Sequence, residues 1–259
     1  MRKLSIAALV ALCLALVMTP AGAKEWTKVR IGVEGAYPPF SFKNPDGSLG
    51  GFDVDIAIAL CEAMEVECDL VEQDWDGIIP ALQAKKYDAI IASMSITPER
   101  MKVVDFTNKY YHTPAKFVVK EGVAVEETNE GMKDLVVGVQ RGTTHEDYMN
   151  KKFPDVELKL YGTQDEVYLD MGSGRIDAIM ADSVAMDDGF IKTDQGAGFV
   201  FLPGNHNDPA IYGDGAGIAV RKDDGDLKEK FNMAIDKIRA DGTYQEIAAK
   251  YFDFDVYGD

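Results

Sequence analysis

The chain has 259 residues, and its 44 acidic and 27 basic side chains give a formal net charge of −17 at pH 7. A surface with this excess of negative charge repels nucleic acid and anionic lipid, so the composition argues against both as partners. The length allows one large domain or two lobes of about 100 residues each.

Residues 1–23 have the pattern of a secretory signal peptide. Basic Arg2 and Lys3 precede an apolar stretch, and the small residues at 21–23 fit the cleavage pattern. A membrane anchor is the weaker alternative, because the apolar stretch is short for a span of about 20 residues. We expect cleavage after Ala23 and a soluble mature chain in an oxidising compartment, more negative than the precursor because Arg2 and Lys3 are lost.

Five segments between residues 29 and 93 alternate between strand-like and helix-like patterns. In chain order they are the strand VRIGV (29–33), the helix DVDIAIALCEAM (53–64), the strand CDLVE (68–72), the helix WDGIIPALQAKK (75–86) and the strand DAIIAS (88–93). Thr97 then caps a further predicted helix, with Pro98 at its first position and Arg100 just inside it. This alternation predicts a parallel sheet with helices on both faces.

Cys61 and Cys68 are the cysteines that remain after residue 23. An even pair in an oxidising compartment suggests a disulfide. If both lay on one helix, seven positions would separate their Cα atoms by about 10 Å, which a disulfide cannot bridge. We therefore predict that the helix containing Cys61 ends near Met64 and that the chain turns back to Cys68.

The pattern of the first half recurs in the second half. The segment VRIGVEGAY (29–37) has a partner in VVGVQRGTT (136–144), which aligns Glu34 with Gln140. The segment YDAIIAS (87–93) has a partner in IDAIMAD (176–182), which aligns Ser93 with Asp182. Convergent strand chemistry could produce such an echo, but we favour two α/β lobes of similar build. The amphipathic helices of residues 227–252 close the chain and are expected to pack on a lobe.

The candidate functional residues follow predicted strand ends in both halves. Ligands of open parallel sheets bind beyond the carboxyl ends of the strands, where helix N-termini offer unpaired N–H groups. The residues at these ends are Glu34, Tyr37, Ser93, Ser95, Arg100, Gly142, Thr143, Thr144 and Asp182. Because both halves contribute, we expect the ligand to lie in the crevice between two lobes.

The charges at these strand ends match an α-amino acid. Arg100 offers a planar donor fork for a carboxylate, and the hydroxyls of Ser95 and Thr144 can complete the anion site. Asp182 can pair with an ammonium group. Alternatively, Arg100 could form a surface salt bridge with a neighbour such as Glu99 or Asp105, and Asp182 could simply cap the helix that follows.

The distal end of the predicted site has two aromatic residues and an acid. Tyr37 and Trp75 could stack on the ligand side chain, and Glu34 would then meet a cationic tip. Trp75 could instead be a core residue at a helix start, and Tyr37 a turn residue before two prolines. Both interpretations remain open from the residues alone.

At these residues the chain resembles the periplasmic solute-binding proteins of polar amino-acid ABC importers (bacterial solute-binding protein family 3), and within them the lysine/arginine/ornithine- and histidine-binding group. The motifs that carry the resemblance are AYPPFSF, GGFDVDIAIALCEAMEVEC, WDGIIPALQAKKYDAIIASMSITPER, VGVQRGTTHE, GRIDAIMAD, RADGTY and KYFDFDVYG. The resemblance covers essentially the whole mature chain. It implies a type II periplasmic binding-protein fold of class α/β, with two lobes that each hold a mainly parallel sheet flanked by helices. Two hinge strands would connect a first lobe of residues 24–112 and 216–259 to a second lobe of residues 113–215.

The resemblance also implies the roles of individual residues. Arg100 resembles the arginine that binds the α-carboxylate, Asp182 and Ser93 resemble the α-ammonium partners, and Cys61–Cys68 resembles the disulfide of the family. Glu34 stands where several binders of basic amino acids have an acid. The complete set of expected ligand-binding residues is Glu34, Tyr37, Trp75, Ala92, Ser93, Met94, Ser95, Arg100, Gln140, Thr143, Thr144, His145 and Asp182.

Three positions depart from the pattern of lysine and ornithine binders. Ala92 stands where these usually have a serine, and Trp75 replaces a smaller apolar residue or Phe. His145 resembles arginine-selective relatives, whereas Trp75 together with Ala92 also resembles opine-binding ones. These departures favour a ligand with a long guanidinium side chain over histidine. They leave open the choice between lysine and arginine.

The expected function is therefore a periplasmic receptor for a basic L-amino acid, with arginine first and lysine, ornithine and histidine as further candidates. It would deliver this ligand to an ABC permease in the inner membrane, as a monomer, without cofactor, metal or nucleic acid. One alternative is a receptor for an opine or another polar amino acid. A second is a cyclohexadienyl-dehydratase-like enzyme, for which Glu34 or His145 would be the general acid. A third is a sensor that works through a separate receptor.

Overall fold

The computed structural model describes residues 25–258, so the expected signal peptide and its cleavage site lie outside the described residues. Within that range, the strands form two five-stranded sheets and one three-stranded sheet. None of the helices in this range is both long enough and apolar enough to span a bilayer.

The strands of residues 25–258 are β1 (Lys28–Val33), β2 (Ala36–Tyr37), β3 (Ser41–Lys43), β4 (Leu49–Gly50), β5 (Glu67–Glu72), β6 (Ala89–Ile90), β7 (Asp105–Tyr111), β8 (Ala115–Lys120), β9 (Val136–Gln140), β10 (Glu157–Tyr161), β11 (Ala178–Asp182), β12 (Phe199–Phe201) and β13 (Ala216–Val220). The α-helices are α1 (Phe52–Ala63), α2 (Ile78–Gln83), α3 (Asn129–Met132), α4 (Thr144–Lys152), α5 (Gln164–Gly172), α6 (Ser183–Met186), α7 (Pro209–Tyr212), α8 (Gly225–Ala240) and α9 (Thr243–Ala248).

The first large sheet has the strand order β5-β1-β6-β13-β7, with β1 parallel to both β5 and β6 and β13 antiparallel to its neighbours. Successive residues of β6 point to opposite faces, as the pleat requires. Ala89 packs into the cluster that includes α1 and α8, and Ile90 packs into the cluster that includes α2. Helices therefore cover both faces, as the buried strand patterns predict. We call this sheet with α1, α2, α8 and α9 the first lobe.

The second large sheet repeats this arrangement with the order β10-β9-β11-β8-β12. Strand β9 is parallel to both β10 and β11, and β8 is antiparallel to β11 and β12. Thus β9 and β11 occupy the places of β1 and β6, which is the correspondence that the sequence echo predicts. We call this sheet with α3 to α7 the second lobe. Two large α/β sheets confirm the predicted fold class.

The chain passes between the two sheets at residues 112–114, which lead from β7 to β8, and at residues 213–215, which lead from α7 to β13. The backbone N–H of His112 donates to the carbonyl of Val256, so the C-terminal segment is tied to the first of these connections. Helix α8 packs against α1 through buried residues that include Phe231, Ile235 and Ile238.

The disulfide between Cys61 and Cys68 is present, with a Cα–Cα distance of 5.7 Å. Helix α1 ends at Ala63 with Met64 as its C-cap, and Glu65 has a left-handed φ of 57° that turns the chain toward β5. The predicted helix end and the predicted chain reversal are both confirmed. A continuous helix would have kept the two sulfur atoms apart.

One predicted helix is wrong. The segment after Thr97 forms only a single 3₁₀ turn, Arg100–Lys102. The predicted cap is present, since the Thr97 hydroxyl accepts from the Arg100 N–H at 3.3 Å. The turn cannot extend into a helix because the β-branched residues Val103 and Val104 lead directly into β7, which is bound to β13.

Candidate functional site

Two adjoining cavities lie between the lobes, where β1, β6, β9 and β11 end. The first, of about 330 Å³, is lined by Glu34, Tyr37, Trp75, Ala92, Ser93, Ser95, Arg100, Gln140, Thr143, Thr144 and His145. The second, of about 420 Å³, is lined by Tyr37, Ser93, Ser95, Tyr111, His112, Thr113, Ala115, Thr144, His145, Asp182, Tyr212, Gly215 and Ala216. The residues common to both are Tyr37, Ser93, Ser95, Thr144 and His145. Both lobes therefore contribute to one continuous polar cleft.

Every residue of the expected ligand-binding set lines one of these cavities except Met94. Its side chain is fully buried in the core of the first lobe, with Ile78 and Leu82, and its carbonyl accepts from the N–H of Gly217 at 3.0 Å. The Met94 side chain therefore packs behind the cleft, between two serines that line it, and a ligand contact of Met94 stays a prediction.

Arg100 lies in the cleft with a charge that no carboxylate of residues 25–258 neutralises through an ion pair. One guanidinium nitrogen donates to the Ser95 carbonyl at 3.0 Å, and another donates across the cleft to the Gly142 carbonyl at 3.3 Å. Burial lowers the pKa of Arg100 to about 10, so the group is still charged at neutral pH. The alternative surface salt bridge is not formed, because Glu99 pairs with Lys102 and Asp105 pairs with Lys222.

Hydroxyl groups from both lobes lie beside Arg100. The Ser95 and Thr144 hydroxyl oxygens are 3.4 Å apart across the cleft. Thr143 caps α4 by accepting from the Glu146 N–H, and its hydroxyl donates to the Gln140 carbonyl at 2.7 Å. The wall opposite Arg100 is therefore the beginning of a helix, whose N-terminal dipole favours an anionic group.

Ser93 is held from behind by a buried acid that the sequence analysis missed. The Ser93 hydroxyl donates to Asp53 at 3.0 Å, the Tyr110 hydroxyl donates to the same carboxylate at 2.8 Å, and the Ser93 N–H donates to the Tyr110 hydroxyl. Ser93 has a left-handed φ of 52°, which this network stabilises. Burial raises the pKa of Asp53 to about 6.

Asp182 serves both as a helix cap and as part of the cavity wall. One carboxylate oxygen accepts from the N–H groups of Val184 at 2.8 Å and Ala185 at 3.2 Å, and the other accepts from the Thr113 hydroxyl. The residue is 8% exposed, and burial raises the pKa of Asp182 to about 6. Within residues 25–258, Asp182 forms no ion pair with a Lys or Arg side chain. The capping and site interpretations are therefore compatible.

Glu34 lies at the other end of the cleft, only 6% exposed. It accepts from the side-chain amide of Gln140, which also donates to the Gly162 carbonyl at 3.2 Å. Burial raises the pKa of Glu34 to about 7, and the nearby Asp165 carboxylate pushes it in the same direction. No Lys or Arg of the described range forms an ion pair with it. This carboxylate is poised for a cation that the protein itself does not supply.

The aromatic side chains have distinct places in the cleft. The Arg100 guanidinium lies 5.2 Å from the centroid of the Trp75 ring, and the indole N–H donates to the Gly142 carbonyl at 3.2 Å. Tyr37 is buried and stacks on Phe40 at a centroid distance of 5.9 Å. Tyr37 lines both cavities, so its place in the hydrophobic core does not remove it from the site.

His145 is uncharged in this environment. Burial lowers the pKa of His145 to about 3, and the positive charge of Arg100 acts in the same direction. Its Nδ1 atom is buried without a hydrogen-bond partner, and so is the hydroxyl of Tyr212, whose ring lies 5.6 Å away. Two uncharged polar groups of the cleft are thus available to a ligand or to water.

Sequence reasoning missed most of the wall nearest the connections between the lobes. The missed residues of the second cavity are Tyr111, His112, Thr113, Ala115, Tyr212, Gly215 and Ala216. They follow antiparallel or short elements, so the rule that examines ends of parallel strands does not reach them. Across residues 25–258, no three His, Cys, Asp or Glu side chains come together in a way that could hold a metal ion.

The charges of the cleft are the feature that any ligand must match. Arg100 is the one Lys or Arg among the residues that line the two cavities in the described structure, whereas Glu34 and Asp182 are both acids. When these acids are ionised, the cleft carries one net negative charge. A ligand with one carboxylate and two cationic groups would pair every charge, and burial makes each unpaired charge costly.

The sequence and the fold are similar to those of known binding proteins. The bacterial extracellular solute-binding proteins, family 3, match residues 29–254. An L-arginine-binding protein of Pseudomonas aeruginosa is 51% identical over 100% of this chain and 99% of its own length. A lysine/arginine/ornithine-binding periplasmic protein of Escherichia coli is 42% identical over 89% of this chain and 90% of its own. A solved structure of an ancestral arginine-binding protein bound to arginine superimposes with a TM-score of 0.80 at 38% identity, covering 87% of this chain and 98% of that one.

Proposed function

The chain belongs to the bacterial extracellular solute-binding proteins of family 3, and on this premise we propose that it is a periplasmic receptor for a basic L-amino acid, arginine before lysine, ornithine and histidine. The relatives that are named for arginine and for lysine/arginine/ornithine support this ligand class. The receptor hands its ligand to an ABC permease of the inner membrane and works as a monomer.

The observation that carries the proposal is the unpaired charge of the closed cleft. Among residues 25–258, Glu34 and Asp182 form no ion pair with a Lys or Arg, and Arg100 forms none with a carboxylate. The α-carboxylate of the ligand binds the Arg100 guanidinium with Ser95 and Thr144, and the α-ammonium lies between Asp182 and Ser93. The side chain extends past Tyr37 and Trp75, and its cationic tip meets Glu34. Arginine has the length and the planar donor groups to complete this arrangement.

The lobe bounds follow from the same proposal. Residues 24–112 and 216–259 form the first lobe, and residues 113–215 form the second. The end of β7 at Tyr111 and the start of β13 at Ala216 support these bounds. Rotation of the lobes about the connections would open the cleft, and a ligand that contacts both lobes shifts the equilibrium toward the closed form.

Isothermal titration calorimetry tests the ligand class. Arginine, lysine, ornithine, histidine and glutamine are titrated separately into the purified mature protein at pH 8. A micromolar dissociation constant corresponds to about −8 kcal/mol, which one bidentate carboxylate contact and two paired cations can supply after ordering costs. We expect arginine to bind most tightly and glutamine far more weakly. If none of the four basic amino acids binds below about 100 μM, a value near −5.5 kcal/mol, the proposal fails.

An opine receptor is the second candidate, and the second cavity favours it. This cavity continues from Asp182 toward the connections between the lobes, so a larger substituent on the α-nitrogen of arginine would extend in that direction. Titration with octopine and nopaline beside arginine separates the two. Tighter binding of an opine than of arginine would make the opine the ligand.

Binding without turnover is part of the proposal. The pKa of Glu34 is about 7, a value that would also suit a general acid. Catalysis is therefore tested directly. Glu34 is hydrogen-bonded to the neutral side-chain amide of Gln140 and not to a nucleophilic side chain. Incubation with arginine and with prephenate-like cyclic carboxylic acids should leave every substrate intact by NMR. Dehydration of a cyclic acid would support a cyclohexadienyl-dehydratase-like enzyme over a receptor.

The signal peptide is proposed to be cleaved after Ala23, which leaves a mature chain that begins at Lys24. The match to a family of extracellular proteins supports export. Mass spectrometry of the protein recovered from the periplasmic fraction gives the N-terminus directly. A protein that keeps residues 1–23 would contradict the cleavage.

A further inference from the structure

Two neighbouring residues of one lobe contact two neighbouring residues of the other at the edge of the ligand cavities. The Arg141 guanidinium of the second lobe donates from Nε to Asp76 Oδ1 at 3.3 Å and from a terminal nitrogen to Asp76 Oδ2. Beside this ion pair, the Trp75 indole N–H donates to the Gly142 carbonyl at 3.2 Å. Residues 75–76 and 141–142 thus form an interlobe clasp.

The ion pair of the clasp is attached to the walls of the ligand site but is not part of them. Asp76 follows Trp75 in the turn that precedes α2, and Arg141 follows Gln140 at the end of β9. Neither Asp76 nor Arg141 lines either cavity. Their side chains are 46% and 48% exposed, so the pair meets at the mouth of the cleft in contact with solvent.

On the basis of the proposed function, we infer that the Arg141–Asp76 pair sets the rate of ligand release for every ligand alike. The pair joins residues of different lobes, so it forms when the lobes meet and is broken when they separate. Its free energy therefore stabilises the closed form alone, and an interaction present in one of two states shifts their populations. Because neither side chain faces the ligand, the pair does not distinguish arginine from lysine.

The geometry and the exposure give the size of the effect. A forked Arg–carboxylate contact is stronger than a single hydrogen bond, but solvent screening keeps exposed pairs weak. We expect removal of the pair to raise the ligand dissociation rate about three- to fivefold, with little change in the association rate, since affinity differences between related complexes lie mostly in dissociation.

Asp76→Asn is the most direct variant, because Arg141 also lies near Glu146 and Glu166 of its own lobe. Stopped-flow fluorescence of Trp75 and Trp26 gives the dissociation rates of arginine and lysine at 50 mM and 500 mM NaCl. We expect Asp76→Asn to raise the dissociation rates of arginine and lysine by the same factor. The dissociation rate of wild type should rise by a similar factor at 500 mM NaCl, because salt screens the exposed pair. The dissociation rate of the variant should change less.

A double-mutant cycle and a matched control test whether the effect belongs to the pair. Arg141→Gln combined with Asp76→Asn should release ligand no faster than either single variant. Glu67→Gln removes an exposed ion pair with Lys28 inside the first lobe and should leave the dissociation rate unchanged. The melting temperature of ligand-free Asp76→Asn should match that of wild type.

Three results would overturn the clasp: a dissociation rate of Asp76→Asn equal to that of wild type, fully additive effects in the double variant, or different factors for arginine and lysine. Failure of the proposed function gives a different result, because wild type would then bind neither amino acid. The two failures are therefore distinguishable in one set of measurements.

Discussion

Replacing Glu34 by Gln removes the charge that is expected to hold the cationic tip of the ligand, and it changes little else. The amide has nearly the same shape, and its oxygen can still accept from the Gln140 side chain as Glu34 does. Loss of one partner of a buried, hydrogen-bonded charge pair costs about 2–5 kcal/mol. We expect a value near the low end, about 3 kcal/mol, which is roughly a hundredfold weaker binding of arginine at pH 8.

Two ligands separate this charge effect from a general disturbance of the cleft. Glutamine has the same α-carboxylate and α-ammonium groups as arginine but an uncharged tip, so Glu34→Gln should change its affinity by less than about threefold. Calorimetry of wild type and variant with both ligands at pH 8 gives the four constants. Equal losses for arginine and glutamine would remove Glu34 from the distal pocket.

The raised pKa of Glu34 adds a pH dependence of known sign. Below about pH 7 the ligand-free closed cleft holds a proton on Glu34, which must leave before the carboxylate can pair with a cation. Wild-type affinity for arginine should therefore fall by up to about tenfold between pH 8 and pH 6. Glu34→Gln should retain only a shallow dependence, from Asp182 with its pKa of about 6. An affinity of wild type that does not change over this range would refute the assignment.

Three further predictions concern stability and the anion site. The folded-state pKa of Glu34 lies above its ordinary value of about 4.5, so its contribution to folding stability is fully present below pH 4.5 and is lost as pH rises through 7. Thermal melts of the ligand-free protein between pH 5 and pH 8 should show a loss of stability that Glu34→Gln reduces. Identical profiles for wild type and variant would contradict the pKa shift. Arg100→Lys keeps the charge but loses the donor fork, so calorimetry should show all amino acids weakened by about tenfold or more, whereas an effect on arginine alone would contradict a carboxylate role. Cys61→Ala with Cys68→Ala should lower the free energy of unfolding in urea by about 2.5 kcal/mol, because the short loop gains freedom only in the unfolded chain; an unchanged midpoint would contradict this.

The sequence was informative wherever a local pattern sufficed. Strand ends carry Glu34, Ser93, Gln140 and Asp182, and strand topology brings such ends together without knowledge of distant contacts. The disulfide was predictable because two cysteines so close in sequence leave the chain few geometries. These inferences need only the chain periodicity and the covalent reach of a few residues.

The errors arose where tertiary contacts override local preference. Thr97 and Pro98 are typical of a helix start, but pairing of β7 with β13 limits the segment to one turn. The Met94 side chain packs in the core between two serines that line the cleft, and no local pattern indicates this. Asp53 stands in the first turn of α1, where an acid is explained by the helix dipole alone, so nothing local indicates its contact with Tyr110, 57 residues away.

The difference between the two echoed strand ends explains how the cleft can close around a cation. Glu34 follows β1, and the aligned position at the end of β9 is Gln140, whose amide donates to the Glu34 carboxylate across the cleft. An acid at both positions would bring two carboxylates together and raise the pKa of at least one, which would then hold a proton in place of the ligand. With one acid and one amide, the lobes meet without like-charge repulsion, and a single negative charge is left for the ligand to neutralise. The same reasoning predicts that Gln140→Glu favours a proton over arginine at neutral pH.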